Sequence, residues 1–286
     1  MSPQRLFLLT LLALLAFAGN SLLCRAALRH GGIDAASFTT IRIVSGALVL
    51  GVLVWLRGAR GDPATGRGSW LSAFALFAYA AGFSFAYLRL PTATGALLLF
   101  GAVQATMIGH GLWRGEHLRA MQKAGVLIAF AGLVGLLLPG LSAPPLGSAC
   151  LMLAAGAAWG IYSVRGQSAG DPLKVTAGNF LRAIPMCAGL SVWLLGSISA
   201  DVAGIIAALA SGALASGLGY AIWYTVLPSL RSTSAAVVQL GAPVLAALGG
   251  IAWLGEPMTM RFVLPALAVL GGIALVTVSR RTNGGQ

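Results

Sequence analysis

The sequence predicts an all-α membrane protein, with ten transmembrane helices arranged as two inverted five-helix repeats. Three observations predict it. The 286 residues are 58% hydrophobic and 8% charged, where an ordinary soluble domain carries roughly a quarter charged residues. Uncharged stretches of about 20 residues, the length needed to cross the hydrocarbon, recur along the chain. And the chain matches itself, without a gap, when shifted by 140 residues.

The spans follow in order. Residues 6–24, 68–88, 90–113, 202–230, 232–255 and 262–279 are uncharged or nearly so. The stretch 124–164 has twice the required length and is broken by Pro139, Gly140, Pro144 and Pro145, which makes it two spans and a tight turn. Two more, near 35–56 and 173–196, carry the internal charges Arg42 and Arg182. Irregular backbone cannot face lipid, so these segments are helices despite their Gly and β-branched content.

With a cytoplasmic N-terminus, that side of the membrane holds twelve basic residues: Arg5, Arg57, Arg60, Arg67, Arg114, Arg119, Lys123, Arg165, Lys174, Arg231, Arg280 and Arg281. The other side holds three, Arg29, Arg89 and Arg261. This positive-inside bias puts both termini in the cytoplasm. It also accounts for the net charge of +12 without nucleic acid, because a nucleic-acid reading needs a basic patch on a soluble module. The run 6–16 followed by Ala16-Phe17-Ala18 imitates a secretory signal, but the repeat makes it a retained helix.

In the 140-residue register Arg25 falls on Arg165, Arg42 on Arg182, Gly101 on Gly241, Gly115-Glu116 on Gly255-Glu256, and Gly132 on Gly272. Ala18 falls on Ala158 and Ala96 on Ala236, and the chain's two glutamates fall on each other. The halves are residues 1–140 and 141–286. Each holds five helices, an odd number, so they enter the membrane in opposite orientations. Inverted repeats are an architecture of secondary transporters, which hold substrate near mid-membrane between the halves.

Leu254-Gly255-Glu256-Pro257 before a Gly-rich closing helix, with Ala158-Trp159-Gly160 and Gly241-Ala242-Pro243-Val244, resembles the EamA-type repeat of the drug/metabolite transporter superfamily. The resemblance covers nearly the whole chain and is greatest to the YddG-type amino-acid exporters of bacterial inner membranes. Val103 stands where the second copy has Pro243, and Gly19 where it has Trp159. The resemblance implies a basket of helices one to four and six to nine, with helices five and ten outside as props. It also implies export of small amphiphilic metabolites, aromatic or neutral amino acids in the nearest branch, from a bacterial inner membrane.

A cavity for such cargo wants aromatic faces and a few placed polar groups. Tyr79, Phe83 and Tyr87 recur at four-residue spacing and share one helix face. Trp159, Tyr162, Tyr220, Trp223 and Tyr224 supply further rings, although Trp and Tyr also gather at membrane surfaces. Tyr87 and Trp223, near helix ends, read as belt or packing residues. The intramembrane amides are Asn20, Gln104, Asn179 and Gln239, which either line a cavity or bond between helices. Arg42 and Arg182 need partners, either a substrate carboxylate or helix carbonyls, while Arg25 can snorkel to the interface. The expected substrate-binding set is Asn20, Arg42, Tyr79, Phe83, Trp159, Tyr162, Asn179, Tyr224 and Gln239.

No enzyme is expected. Asp34, Asp62, Asp171 and Asp201 fall at helix ends or in loops, and the scattered His30, His110 and His117 make no catalytic set with them. Cys24, Cys150 and Cys187 form neither a disulfide framework nor a metal site, and no Walker sequence is present. No cofactor is expected. The expected partners are a small-molecule substrate and the lipid bilayer, with the chain acting as a monomer. Cargoes weighed against an amino acid are a drug-like compound, a nucleoside, a nucleotide-sugar and a polyamine. A cation would want cavity acids and a sugar nucleotide several deep bases, so a zwitterionic or neutral amphiphile fits best.

Overall fold

Each aspartate among the described residues starts a helix. Asp34 accepts the Ser37 N–H at 2.9 Å, Asp171 accepts from Leu173 and Lys174, and Asp201 accepts from Gly204 at 2.6 Å. An N-cap carboxylate satisfies amides that the helix itself leaves open, so these acids are consumed at helix ends. The computed structural model describes residues 1–58, 68–115, 117–138, 143–166, 171–226, 229–230 and 238–278. Arg60, Asp62, Arg67, Glu116, Pro139, Gly140, Arg231, Ala236, Arg280 and Arg281 lie outside them.

Ten long helices run through the described residues. They are α1 (Pro3–Arg29), α2 (Ala35–Leu56), α3 (Trp70–Tyr87), α4 (Thr92–Trp113), α5 (Ala120–Leu137), α6 (Leu146–Gly166) and α7 (Pro172–Trp193), then α8 (Val202–Val226), α9 (Gly241–Leu254) and α10 (Met260–Val278). Seven of them, α1 to α6 and α8, are long and apolar enough to cross a membrane. The others differ for visible reasons: α7 carries Lys174 and Arg182, α9 has only 14 residues, and the apolar stretch of α10 is the shorter Met260–Val276. The protein is an all-α, multi-pass membrane protein.

Tryptophan placement marks the membrane surfaces. Trp55, Trp70, Trp113, Trp193 and Trp253 stand at helix ends and are 60–86% exposed, as interfacial anchors are. Leu48, Leu127, Phe130 and Leu264 are also exposed, which suits contact with lipid. Trp223 is buried, and Trp159 packs against the main apolar core.

Helices α5 and α10 pack on each other and touch the rest chiefly through α4. The other eight helices pack in pairs around the centre: α3 with α6 and α7, α4 with α6 and α9, α2 with α7 and α8, and α1 with α8 and α9. The pairing α4–α6 is close because Gly156 and Gly160 face α4. A Cβ at Gly156 would lie 2.5 Å from the Leu99 carbonyl oxygen, and one at Gly160 would lie 2.7 Å from Thr106 Cβ. This is the close approach that small residues four apart allow.

At the end of the bundle where α1 finishes, the distal end, short contacts tie the loops together. Asp34 N–H donates to Ser199 O at 2.8 Å, and Asp201 N–H donates to Gly32 O at 2.6 Å. At the opposite end Asn179 on α7 accepts the Ser69 N–H at 2.8 Å and so fixes the start of α3.

Candidate functional site

On α3, Tyr79 and Phe83 lie one turn apart on a face that is buried on all sides. Trp159 of α6 meets Tyr79 at 4.7 Å between ring centroids, lies 5.1 Å from Tyr220 of α8, and stacks on Tyr162 at 5.2 Å. Phe83 joins at 5.5 Å from Tyr79, and Phe17 of α1 at 6.1 Å from Tyr220. Tilted and offset ring pairs at these separations attract beyond their burial. Four helices thus meet through one pile of rings.

Arg42 of α2 is set into this pile and is 1% exposed. Its guanidinium lies 5.1 Å from the centroids of both Tyr79 and Phe83. Its Nη2 donates to the Tyr79 hydroxyl at 2.8 Å, and its Nε donates to Ser216 Oγ at 3.2 Å. The same Tyr79 hydroxyl accepts from Asn20 Nδ2 at 3.3 Å, and Asn20 Oδ1 accepts from Ser211 Oγ at 2.6 Å. The third nitrogen of Arg42, Nη1, is buried without an acceptor.

No carboxylate among the described residues pairs with Arg42. The two ion pairs there are Arg25–Glu256 and Arg57–Asp171, and the aspartates serve as N-caps. A buried charge left without a counter-charge costs several kcal/mol. Cation–π attraction and two hydrogen bonds offset part of that.

Beside Arg42 lies a cleft of about 30 Å³, room for little more than one water. Of the residues expected from sequence, Asn20, Tyr79, Phe83, Trp159 and Gln239 line it. Arg42 stands behind the wall, and both of its hydrogen-bond partners, Tyr79 and Ser216, are lining residues. Tyr162 sits behind Trp159 and accepts from Asn179 Nδ2 at 3.4 Å, and Tyr224 packs at the edge of the same core. Neither of these, nor Asn179, is among the residues lining the cleft.

Phe17, Ser21, Ala215, Ser216 and Tyr220 also line the cleft, outside the set expected from sequence. Aromatic content on α8 points to Tyr220. No local signal marks Ser211 or Ser216, because they share a face only through the π-helical register of α8.

Other intramembrane charges find protein partners. Arg182 Nη1 donates to the Gly178 carbonyl of its own helix at 3.0 Å. Arg25 does not need the headgroups: it pairs with Glu256 at 3.3 Å and donates to Tyr87 O and Leu88 O at 2.9 and 3.1 Å. A distal cavity of about 390 Å³ is lined by Arg25, Arg29, Arg89, Arg261 and Glu256. Arg29 there bonds Leu254 O and Arg261 bonds Leu138 O, so three of its arginines, Arg25 included, serve the C-terminal ends of α3, α5 and α9. No group of three or more metal-ligating side chains occurs among the described residues.

Comparison with known proteins shows what the chain as a whole resembles. The EamA-like transporter family matches residues 146–278. An uncharacterized protein of Pseudomonas aeruginosa is 57% identical over 280 residues, covering 98% of this chain and 97% of that one. A probable terminal-alkyne amino-acid exporter of Streptantibioticus cattleyicolor is 29% identical over 209 residues, 68% of this chain and 67% of that one. An uncharacterized transporter of Archaeoglobus fulgidus is 25% identical over 287 residues, with 96% and 97% covered. One solved crystal structure shares the fold at a TM-score of 0.69 and 21% identity, over 98% of this chain and 100% of that one. The chain belongs to the EamA-like transporter family.

Proposed function

We propose that this transporter exports amino acids with aromatic or other neutral side chains, by alternating access at the cleft between its two halves. The observation that carries the reading is Arg42: a guanidinium buried among aromatic rings, with one nitrogen unpartnered and no carboxylate paired with it among the described residues. A cargo carboxylate pairs with that nitrogen by a charge-assisted hydrogen bond. The rings of Tyr79, Phe83 and Trp159 take its side chain, and Asn20 and Gln239 take its polar groups. Tyr162, Asn179 and Tyr224 act from behind, holding Trp159 and the start of α3.

The two halves, residues 1–140 and 141–286, are inverted copies in this reading. Helix packing supports it under the 140-residue register: α3–α6 has its mate in α8–α1, α4–α6 in α9–α1, and α2–α8 in α7–α3. Rocking one half against the other would open the cleft to each side in turn. The basic loops support a cytoplasmic N-terminus, and the bacterial relatives support a bacterial inner-membrane location. The relationship to a probable amino-acid exporter supports the cargo class.

Uptake of radiolabelled L-phenylalanine into proteoliposomes tests the reading. Saturable flux is expected, with the KM of Trp159→Ala raised roughly tenfold by the loss of ring contacts. No flux with any amino acid would move the cargo to another small metabolite such as a nucleoside.

A further inference from the structure

Midway along α8 the helix changes its hydrogen-bond register. Residues Ser211–Leu218 form a π-helix between the α-helical segments Val202–Ala210 and Gly219–Val226. At its end the Gly219 N–H reaches Leu214 O, five residues back. On an α-helix of 3.6 residues per turn, positions five apart point about 140° away from each other. In a π-turn the hydrogen bond itself spans five residues, which brings such positions onto one face.

Ser211 and Ser216 are five apart. Ser211 Oγ donates to Asn20 Oδ1 at 2.6 Å, and Ser216 Oγ accepts from Arg42 Nε at 3.2 Å. Asn20 and Arg42 both donate to the Tyr79 hydroxyl. The four bonds run from one end of a single π-turn, across α1, α3 and α2, and back to the other end. Gly212 lets this happen: a Cβ there would overlap Ser45 Oγ and the Arg42 carbonyl oxygen, so α8 lies directly against α2 at this level.

We propose that the π-turn of α8 is what aims Arg42 at the cargo, with Ser216 as the positioning residue and Ser211 as its counterpart for Asn20. Ser216 and Tyr79, which both line the cleft, hold Nε and Nη2, and Nη1 is the nitrogen left without an acceptor. An α-helical register would carry one serine off this face and release either Arg42 or Asn20. The proposal rests on the reading that Arg42 receives the cargo carboxylate.

The test is proteoliposome uptake of L-phenylalanine by wild type, Ser216→Ala, Ser216→Thr and Ser211→Ala, with phenylalaninamide, which lacks the carboxylate, as competitor. Ser216→Ala raises KM roughly tenfold, as the loss of one hydrogen bond to a charged group does, with Vmax within about twofold. Its inhibition constant for the amide stays at the wild-type value. Ser216→Thr, which keeps the hydroxyl, restores KM, and Ser211→Ala shifts KM in the same direction as Ser216→Ala. Wild-type KM in both alanine variants would overturn the positioning role while leaving the exporter reading intact. Absence of amino-acid flux in the wild type would overturn both.

Discussion

Arg25 on α1 and Glu256 after α9, 231 residues apart in sequence, form an ion pair at 3.3 Å. The other Glu256 oxygen accepts the Thr92 N–H at 2.8 Å, capping α4, while Arg25 holds the last carbonyls of α3. Four helices are therefore pinned at the distal end by one pair. Arg165, the mate of Arg25 in the 140-residue register, donates to Ser72 Oγ at 3.1 Å, and Glu116, the mate of Glu256, lies outside the described residues.

Both side chains of the pair are largely buried, at 14% and 9% exposure, so removing one partner leaves a poorly solvated charge. Glu256→Gln is expected to cost about 3 kcal/mol, read as a lowered melting temperature in detergent. Combined with Arg25→Gln, the two losses are expected to be markedly non-additive. Strict additivity would mean that the pair contributes nothing.

Asp34 gives a pH signature. Partial burial pushes its carboxyl up, but hydrogen bonds from Ser37, Ser199 and Ala36 outweigh this and hold it below the usual carboxylate value. A depressed folded-state pKa contributes stability above the unfolded value and loses it as pH falls through the folded one. Asp34→Asn should therefore be less stable than wild type at neutral pH, with the gap closing below about pH 4. A gap unchanged down to pH 3 would contradict this.

Gly156 sits where α6 touches the α4 backbone, and an added methyl would meet Leu99 O and Ala102 Cβ. Gly156→Ala is expected to cost about 1–3 kcal/mol through overpacking. The check is thermal unfolding in detergent beside Gly147→Ala, where a Cβ meets open space and little change is expected.

Among the described acids, three cap helices and the fourth pairs with Arg25, leaving none of them as a proton carrier at the cleft. Facilitated efflux is the expected mode. Flux through proteoliposomes should be the same with and without a protonophore, and strict dependence on a proton gradient would rule this mode out.

The ten helices were legible because apolar length is a local property, and Trp159 and Arg42 were conspicuous because rings and charges inside apolar runs are rare. The partner of Arg25 was not legible: Glu256 lies 231 residues away along the chain, and nothing near either residue encodes the pairing. Ser211 and Ser216 escaped for a different reason. Reading α8 at 3.6 residues per turn puts them on separate faces, and only the π register joins them. Asn179 is a mixed case, since its burial follows from its place inside an apolar helix, while its bond to Ser69 depends on a loop approaching α7.

The central claim is that Arg42 holds a cargo carboxylate, and competition against L-phenylalanine uptake by wild type and Arg42→Gln tests it most directly. In wild type, unlabelled amino acid should compete at least tenfold better than phenylalaninamide, and in Arg42→Gln that preference should vanish while the protein remains folded. Equal competition by acid and amide in wild type, or an undiminished preference in Arg42→Gln, would contradict the account.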